Sequence, residues 1–233
     1  MDKFIRKGQI IVGLDFDTSN NAFEITKLLN PEKYKVKVGN QLFTACGPKI
    51  LDDLKKQGFD IFLDLKFHDI PNTVEKAVTE ACKKNIWMLN VHLSGGKNMI
   101  EAAVKAKNSI SPETYLIGVT VLTSLDQRDL LETGVTKDLK DQIIDLLNLG
   151  IKGGIDGIVC SPNDLAYFKK EEMNSFITVC PGIRVNEQRG GQKRTSTIHE
   201  AIKMGADYLV IGREITASRN PSKVVKEIDS YFI

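Results

Sequence analysis

Cysteine is scarce in this 233-residue chain, and its four copies, Cys46, Cys82, Cys160 and Cys180, stand far apart. No Cys-x-x-Cys pair exists, which excludes a zinc ribbon and a thioredoxin-like redox motif and leaves thiols expected to be reduced and buried. Long apolar runs are missing too: none approaches the ~18 residues of a membrane span. The start Met1-Asp2-Lys3-Phe4 carries no extended apolar secretory segment. These absences predict a cytoplasmic protein with no membrane partner. Nor does one sign of charge dominate, since 32 Lys+Arg against 30 Asp+Glu leave +2. With no basic stripe beyond one loop near the C-terminus, a dedicated nucleic-acid binder is excluded and small molecules become the expected partners. Low-complexity linkers and compositional breaks are absent as well, so residues 1–233 read as one domain.

What is present is a recurrence of short β-branched runs bounded by Gly, Asp or Asn. They span residues 10–15, 34–38, 60–66, 87–92, 115–121, 157–160, 177–180 and 208–211. Between them lie helical patterns. Val74, Ala77, Val78, Ala81 and Cys82 form an apolar stripe, with Pro71 at its first turn and Asn72 and Glu75 spaced as a capping box. Gly47-Pro48 opens another helix whose Ile50, Leu51 and Leu54 face inward, and Gly58 suits its end. Eight strands alternating with helices predict an α/β fold, a single-domain (β/α)8 TIM barrel. The competitor, an open doubly wound sheet, lacks its dinucleotide fingerprint, because Gly13-Leu14-Asp15-Phe16-Asp17 follows the first strand in place of Gly-x-Gly-x-x-Gly.

Function in such barrels gathers at the C-terminal strand ends. The first strand ends in Asp15, the second in Lys37-Val38-Gly39, and the third in Asp64-Leu65-Lys66. Residues two apart on a strand share a face, so Asp64 and Lys66 project together and Lys37 on the neighbouring strand reaches Asp64. Charges ~4 Å apart at an effective dielectric of ~20 regain ~4 kcal/mol, so a desolvated Lys, Asp, Lys array persists only if closely paired. Such pairing keeps Lys66 protonated and fixed. A structural ion-pair network is the plain alternative, but three aligned strand ends at a barrel mouth favour function.

These residues carry a resemblance. Asp64-x-Lys66-x-x-Asp69-Ile70-Pro71-x-Thr73, preceded by Lys37-Val38-Gly39, is similar to the orotidine 5′-phosphate decarboxylases of bacterial type. Val91-His92-x-x-Gly95-Gly96, Val119-Thr120-x-Leu122-Thr123-Ser124, Pro181-Gly182-Ile183-Arg184 and Ile211-Gly212-Arg213 extend it along the chain. The resemblance implies loss of CO2 from C6 of orotidine 5′-monophosphate to give uridine 5′-monophosphate, with no cofactor and no metal, as the last step of de novo uridylate synthesis. The carbanion at C6 cannot delocalise into the ring, so a fixed ammonium must stabilise and then protonate it, a task matched by Lys66. By the same resemblance Asp64 lies beside the departing carboxylate, and Lys37 balances Asp64 and touches the ribose. A homodimer is implied, with Asp69 and Thr73 contributed across the interface to complete a Lys-Asp-Lys-Asp chain. Asp15 is expected to accept from a ribose hydroxyl, and Thr123 to meet the pyrimidine edge.

The segment from Gly182 to Arg194 holds three glycines with Arg184, Arg189, Lys193 and Arg194, so it reads as a basic loop able to close over a phosphate. Arg184, Arg213, Gly212 and Gln192 form the expected phosphate set, with Gln188 as the competing register for Gln192, while Arg189, Lys193 and Arg194 are expected to face solvent. Phosphate binding energy would drive closure, so substrates lacking it should lose turnover as well as affinity. His68 and His92 stand at adjacent strand ends, but no His-x-His or carboxylate cluster supports a metal reading. His68 is expected to be packed or hydrogen-bonded, His199 to lie on a helix surface, and Trp87 to be core. Two rivals remain. Magnesium-dependent keto-gulonate-phosphate decarboxylases and hexulose-phosphate synthases share Asp-x-Lys-x-x-Asp but place an acidic metal ligand near the position of Lys37. A noncatalytic phospho-ligand barrel would not need the four charges together.

Overall fold

The computed structural model describes residues 4–168, 173, 175–185 and 196–233. Eight parallel strands close a barrel: β1 (Ile10–Gly13), β2 (Tyr34–Gly39), β3 (Ile61–Phe67), β4 (Met88–His92), β5 (Tyr115–Val119), β6 (Gly157–Val159), β7 (Ile177–Cys180) and, after a short off-barrel pair β8 (Ile183–Arg184) and β9 (Ser196–Thr197), β10 (Tyr208–Ile211). Each barrel strand pairs with its predecessor, and β10 closes on β1 through Ile10 with Leu209, Ile11 with Val210 and Val12 with Ile211. This is the expected (β/α)8 architecture. The β8–β9 pair has no counterpart in the sequence pattern, because two-residue strands carry no period.

Alternation along the strands divides the core into two layers. Ile11, Phe62, Met88, Ile117, Val179 and Val210 fill the barrel interior, with Trp87, Tyr115 and Tyr208 packed beneath them. Their neighbours Ile10, Val12, Val36, Val38, Leu63, Leu89, Val91 and Leu116 face outward into the layer shared with the helices. The helix α1 (Ser19–Thr26) is capped by the Thr18 side chain, and α2 (Asn40–Cys46) follows β2 directly. Next, α3 (Lys49–Lys56) buries Ile50, Leu51 and Leu54 as expected, and Gly58 beyond it has a φ of +88°, a left-handed turn that glycine takes without strain.

Helix α4 (Pro71–Cys82) buries Val74, Val78, Ala81 and Cys82, but its start differs from expectation. Pro71 is the first helical residue and Ile70 the cap, so Asn72 already lies inside the first turn and makes no capping box. Glu75 instead pairs with Lys105 of α5 (Lys97–Ile110) at 3.2 Å. His68 is exposed. Its ring lies 5.4 Å from that of His92. The exposed His199 meets Phe4 edge-on. Cys82, Cys160 and Cys180 are buried and Cys46 is half-buried; none of the four is in a disulfide. Burial pushes the Cys82 thiol up to about 11.

Candidate active site

The register of the first three strands sets the site. Gly13 lies opposite Lys37, and Gly39 opposite Asp64, which brings the inward residues of β2 and β3 to the C-terminal mouth at nearly one level. Lys37 Nζ stands 3.0 Å from Asp15 Oδ1 and 3.3 Å from Asp64 Oδ2. Asp64 Oδ1 accepts from Lys66 Nζ at 2.7 Å and from Asn90 Nδ2 at 2.7 Å. The array within one chain is therefore Asp15, Lys37, Asp64, Lys66. Asp15 joins by an ion pair and not merely as a turn residue, although it ends just beyond β1 and is half exposed. Gly39 makes the packing possible: a Cβ there would lie 3.0 Å from Lys37 Nζ and 3.1 Å from Asp15 Oδ1.

Burial and charge act against each other in this array. Burial alone would push the Lys37 ammonium down, but Asp64 and Asp15 outweigh it and hold the pKa above the usual lysine value. Burial would likewise raise the Asp64 carboxyl, yet Lys37, Lys66 and the hydrogen bonds from Lys66 and Asn90 hold it below the usual carboxylate range. Both groups are charged at neutral pH. His92 is pushed down by burial and by the nearby His68 and Lys66, against the opposing pull of Asp64, so its ring is neutral there.

Lys66 is also a backbone outlier. Its φ of +51° lies in the left-handed region, a conformation that costs an unbranched residue ~1–3 kcal/mol and clusters at functional sites. The β3–β4 ladder shifts register between Leu63 and Phe67 around it. The Lys66 backbone N–H donates to Asn90 Oδ1 at 2.8 Å. Asn90 is fully buried and was not among the residues singled out from sequence. The available signal was a polar residue in the middle of the apolar run Met88-Leu89-Asn90-Val91.

A cavity of about 230 Å³ opens beside the array. Phe62, Val119, Val159, Val179 and Val210 give it apolar walls, while Lys37, Asp64, Lys66, Thr123 and Ser124 supply polar groups. Thr123 thus lines the cavity from the loop after β5. Arg184 ends β8 and is half-buried, Gly212 follows β10, and the exposed Arg213 opens the short helix Arg213–Thr216. These three stand at neighbouring strand ends and are not cavity-lining residues. Asp69 and Thr73 are exposed on the segment entering α4. The Asp69 carboxylate accepts from the Ile70 N–H at 2.7 Å and forms no ion pair among the described residues. Gln192, its competitor Gln188, and Arg189, Lys193 and Arg194 lie outside the described residues.

The barrel, its charged mouth and the adjoining cavity define an enzyme of the (β/α)8 class acting on a small molecule. The model of the orotidine 5′-phosphate decarboxylase / HUMPS family matches residues 8–228, and the chain belongs to that family. It is 46% identical over 223 residues, covering 95% of each chain, to orotidine 5′-phosphate decarboxylase of Marinomonas sp. (strain MWYL1). Identity to the orotidine 5′-phosphate decarboxylase of Pseudoalteromonas translucida (strain TAC 125) is 45%, with 97% of each chain covered. Among solved structures, the crystal structure of orotidine 5′-phosphate decarboxylase from Lactobacillus acidophilus is similar with a TM-score of 0.84 and 32% identity, covering 97% of this chain and 99% of that one.

Proposed function

We infer that the chain converts orotidine 5′-monophosphate to uridine 5′-monophosphate and CO2, using its own side chains and no metal or cofactor. The observation that carries this reading is the Lys66 ammonium, fixed 2.7 Å from Asp64 at the rim of a cavity with apolar walls. The bond from C6 to the carboxylate breaks, the electron pair stays at C6, and CO2 leaves. Lys66 then gives one proton to C6 and regains it from solvent, which its partial exposure allows. Stabilising a localised carbanion requires positive charge already in place, because a dipole that must reorient during the reaction gives part of its effect back. Asp64 and the strained Lys66 backbone provide that fixed placement. The Asp64 carboxylate meets the substrate carboxylate, and Lys37 neutralises it while contacting the ribose.

Asp15 accepts from a ribose hydroxyl in addition to its ion pair, and Thr123 hydrogen-bonds the pyrimidine edge. Arg184, Arg213, Gln192 and the backbone at Gly212 hold the phosphate. A homodimer supplies Asp69 and Thr73 from the other subunit; the exposed run from His68 to Thr73, with Ile70 65% exposed, supports this arrangement. The chain works as one domain over 1–233, in the cytoplasm, at the last step of uridylate synthesis. The donor set at Asp64 favours this reading over a magnesium-dependent keto-sugar-phosphate reaction, since its two oxygens already take two ammonium groups and an amide.

The test follows loss of orotidine 5′-monophosphate absorbance by purified protein in excess chelator, beside Lys66→Ala. Rapid chelator-insensitive conversion, reduced ~10³-fold or more in the variant, is the expected result. No conversion overturns the assignment, and Mg²⁺-dependent turnover of a keto-sugar phosphate would place the chain with the sister activities.

A further inference from the structure

Asn90 uses both ends of its amide inside the array. Its Nδ2 donates to the Asp64 oxygen that also takes Lys66 Nζ, and its Oδ1 accepts the Lys66 backbone N–H. The first bond orients the carboxylate and the second holds the backbone from which the ammonium extends. Because β3 and β4 lose register at this point, the side-chain amide takes the place of a ladder acceptor for Lys66. The residue has no exposed surface, so its polar atoms have no water to fall back on.

We propose that Asn90 is a positioning residue for the decarboxylation, locking Lys66 in its left-handed conformation and Asp64 in its ionised orientation through one side-chain amide. This rests on the catalytic reading of Lys66 and Asp64 given above. A lysine side chain has several rotatable bonds, and fixing its ammonium to about an ångström of the position a reacting carbon needs requires a backbone that does not relax. Glutamine, one methylene longer, cannot make both bonds from the same strand position. Aspartate keeps the length and loses only the donor.

Two variants and one spectroscopic titration test the proposal. Asn90→Ala is expected to lower kcat about 10- to 100-fold with KM little changed. Losing a donor to the Asp64 carboxylate raises that group's pKa, so the acid limb of kcat/KM moves to higher pH. The Asp64 ¹³Cγ titration followed by NMR moves the same way. Asn90→Asp is expected to be impaired at neutral pH and to recover as pH falls. One proton held between the two carboxyls restores both an O–H donor to Asp64 and a carbonyl acceptor for the Lys66 N–H. Unchanged kcat in both variants overturns the proposal. So does a loss of kcat with the acid limb and the Asp64 titration unmoved. Failure of both variants to fold would assign Asn90 to packing alone and overturn it as well. If the unaltered protein does not turn over orotidine 5′-monophosphate, the catalytic reading fails, and the Asp64 titration still decides whether the amide holds the carboxylate.

Discussion

Lys35 and Lys37 lie two residues apart on β2, so both project into the barrel, yet one meets aromatic rings and the other meets carboxylates. At the N-terminal end, Lys35 Nζ sits 4.3 Å from the centre of the Trp87 ring and pairs with the half-exposed Asp60. Trp87 in turn packs edge-on against Tyr208 at 4.9 Å and Tyr115 at 5.9 Å. At the C-terminal end, Lys37 is held between Asp15 and Asp64 beside an open cavity. Strand, residue type and inward direction are the same. The difference lies in what surrounds the charge: rings plug the lower end, whereas the upper end combines one buried carboxylate, Asp64, with a strained backbone and space. A lysine–aspartate pair therefore does not identify a site, and the cavity and the coupling to further charges do.

This contrast can be broken from either end. The largest effect is expected at the top, where Asp64→Asn removes the carboxylate shared by Lys37 and Lys66 and should lower kcat/KM by ~10²–10³-fold, measured with orotidine 5′-monophosphate. The same variant has a distinct stability profile. The folded-state pKa of Asp64 is depressed, so its contribution is present above the unfolded carboxylate value of ~4 and lost as pH falls through the lower folded value. Thermal unfolding should show the variant less stable than the unaltered protein at pH 7, with the gap closing below about pH 4. A gap independent of pH would show that the ion pairs do not stabilise the mouth.

At the bottom, Trp87→Ala should cost about 3 kcal/mol of stability in denaturant unfolding, because it removes two ring contacts and the surface under Lys35. Turnover per folded molecule should stay near that of the unaltered protein. The smallest effect is expected for Lys35→Met, which keeps the stem and removes the charge. Its loss should be about 1 kcal/mol or less, since Asp60 is well solvated and the cation–π contact is modest. A large loss of activity in Lys35→Met would show that the two ends of the barrel are coupled.

Much of the upper end was legible in the sequence because it depends on a period of two. Lys37, Asp64 and Lys66 fall on inward positions of adjacent strands, and strand order follows chain order in this fold, so neighbours in space could be deduced. Other features depend on conformation or distant register. Nothing in the letters Asp64-Leu65-Lys66 marks a left-handed φ at the third residue. The role of Asn90 requires the β3–β4 register shift to place its amide under Lys66. Asn72 and Glu75 have the right spacing for a capping box, but the fixed φ of Pro71 starts the helix two residues earlier and moves both inside it. Asp69 matched the motif by position, while within one chain its carboxylate turns back to its own neighbour's N–H.

The left-handed Lys66 has a consequence for how this chain can change over time. Glycine alone would occupy that φ at no cost, and glycine would also delete the ammonium. Comfort of the backbone and chemistry of the mouth are opposed at a single codon. Selection for a sturdier fold, acting by itself, would erase the reaction first and leave the barrel standing.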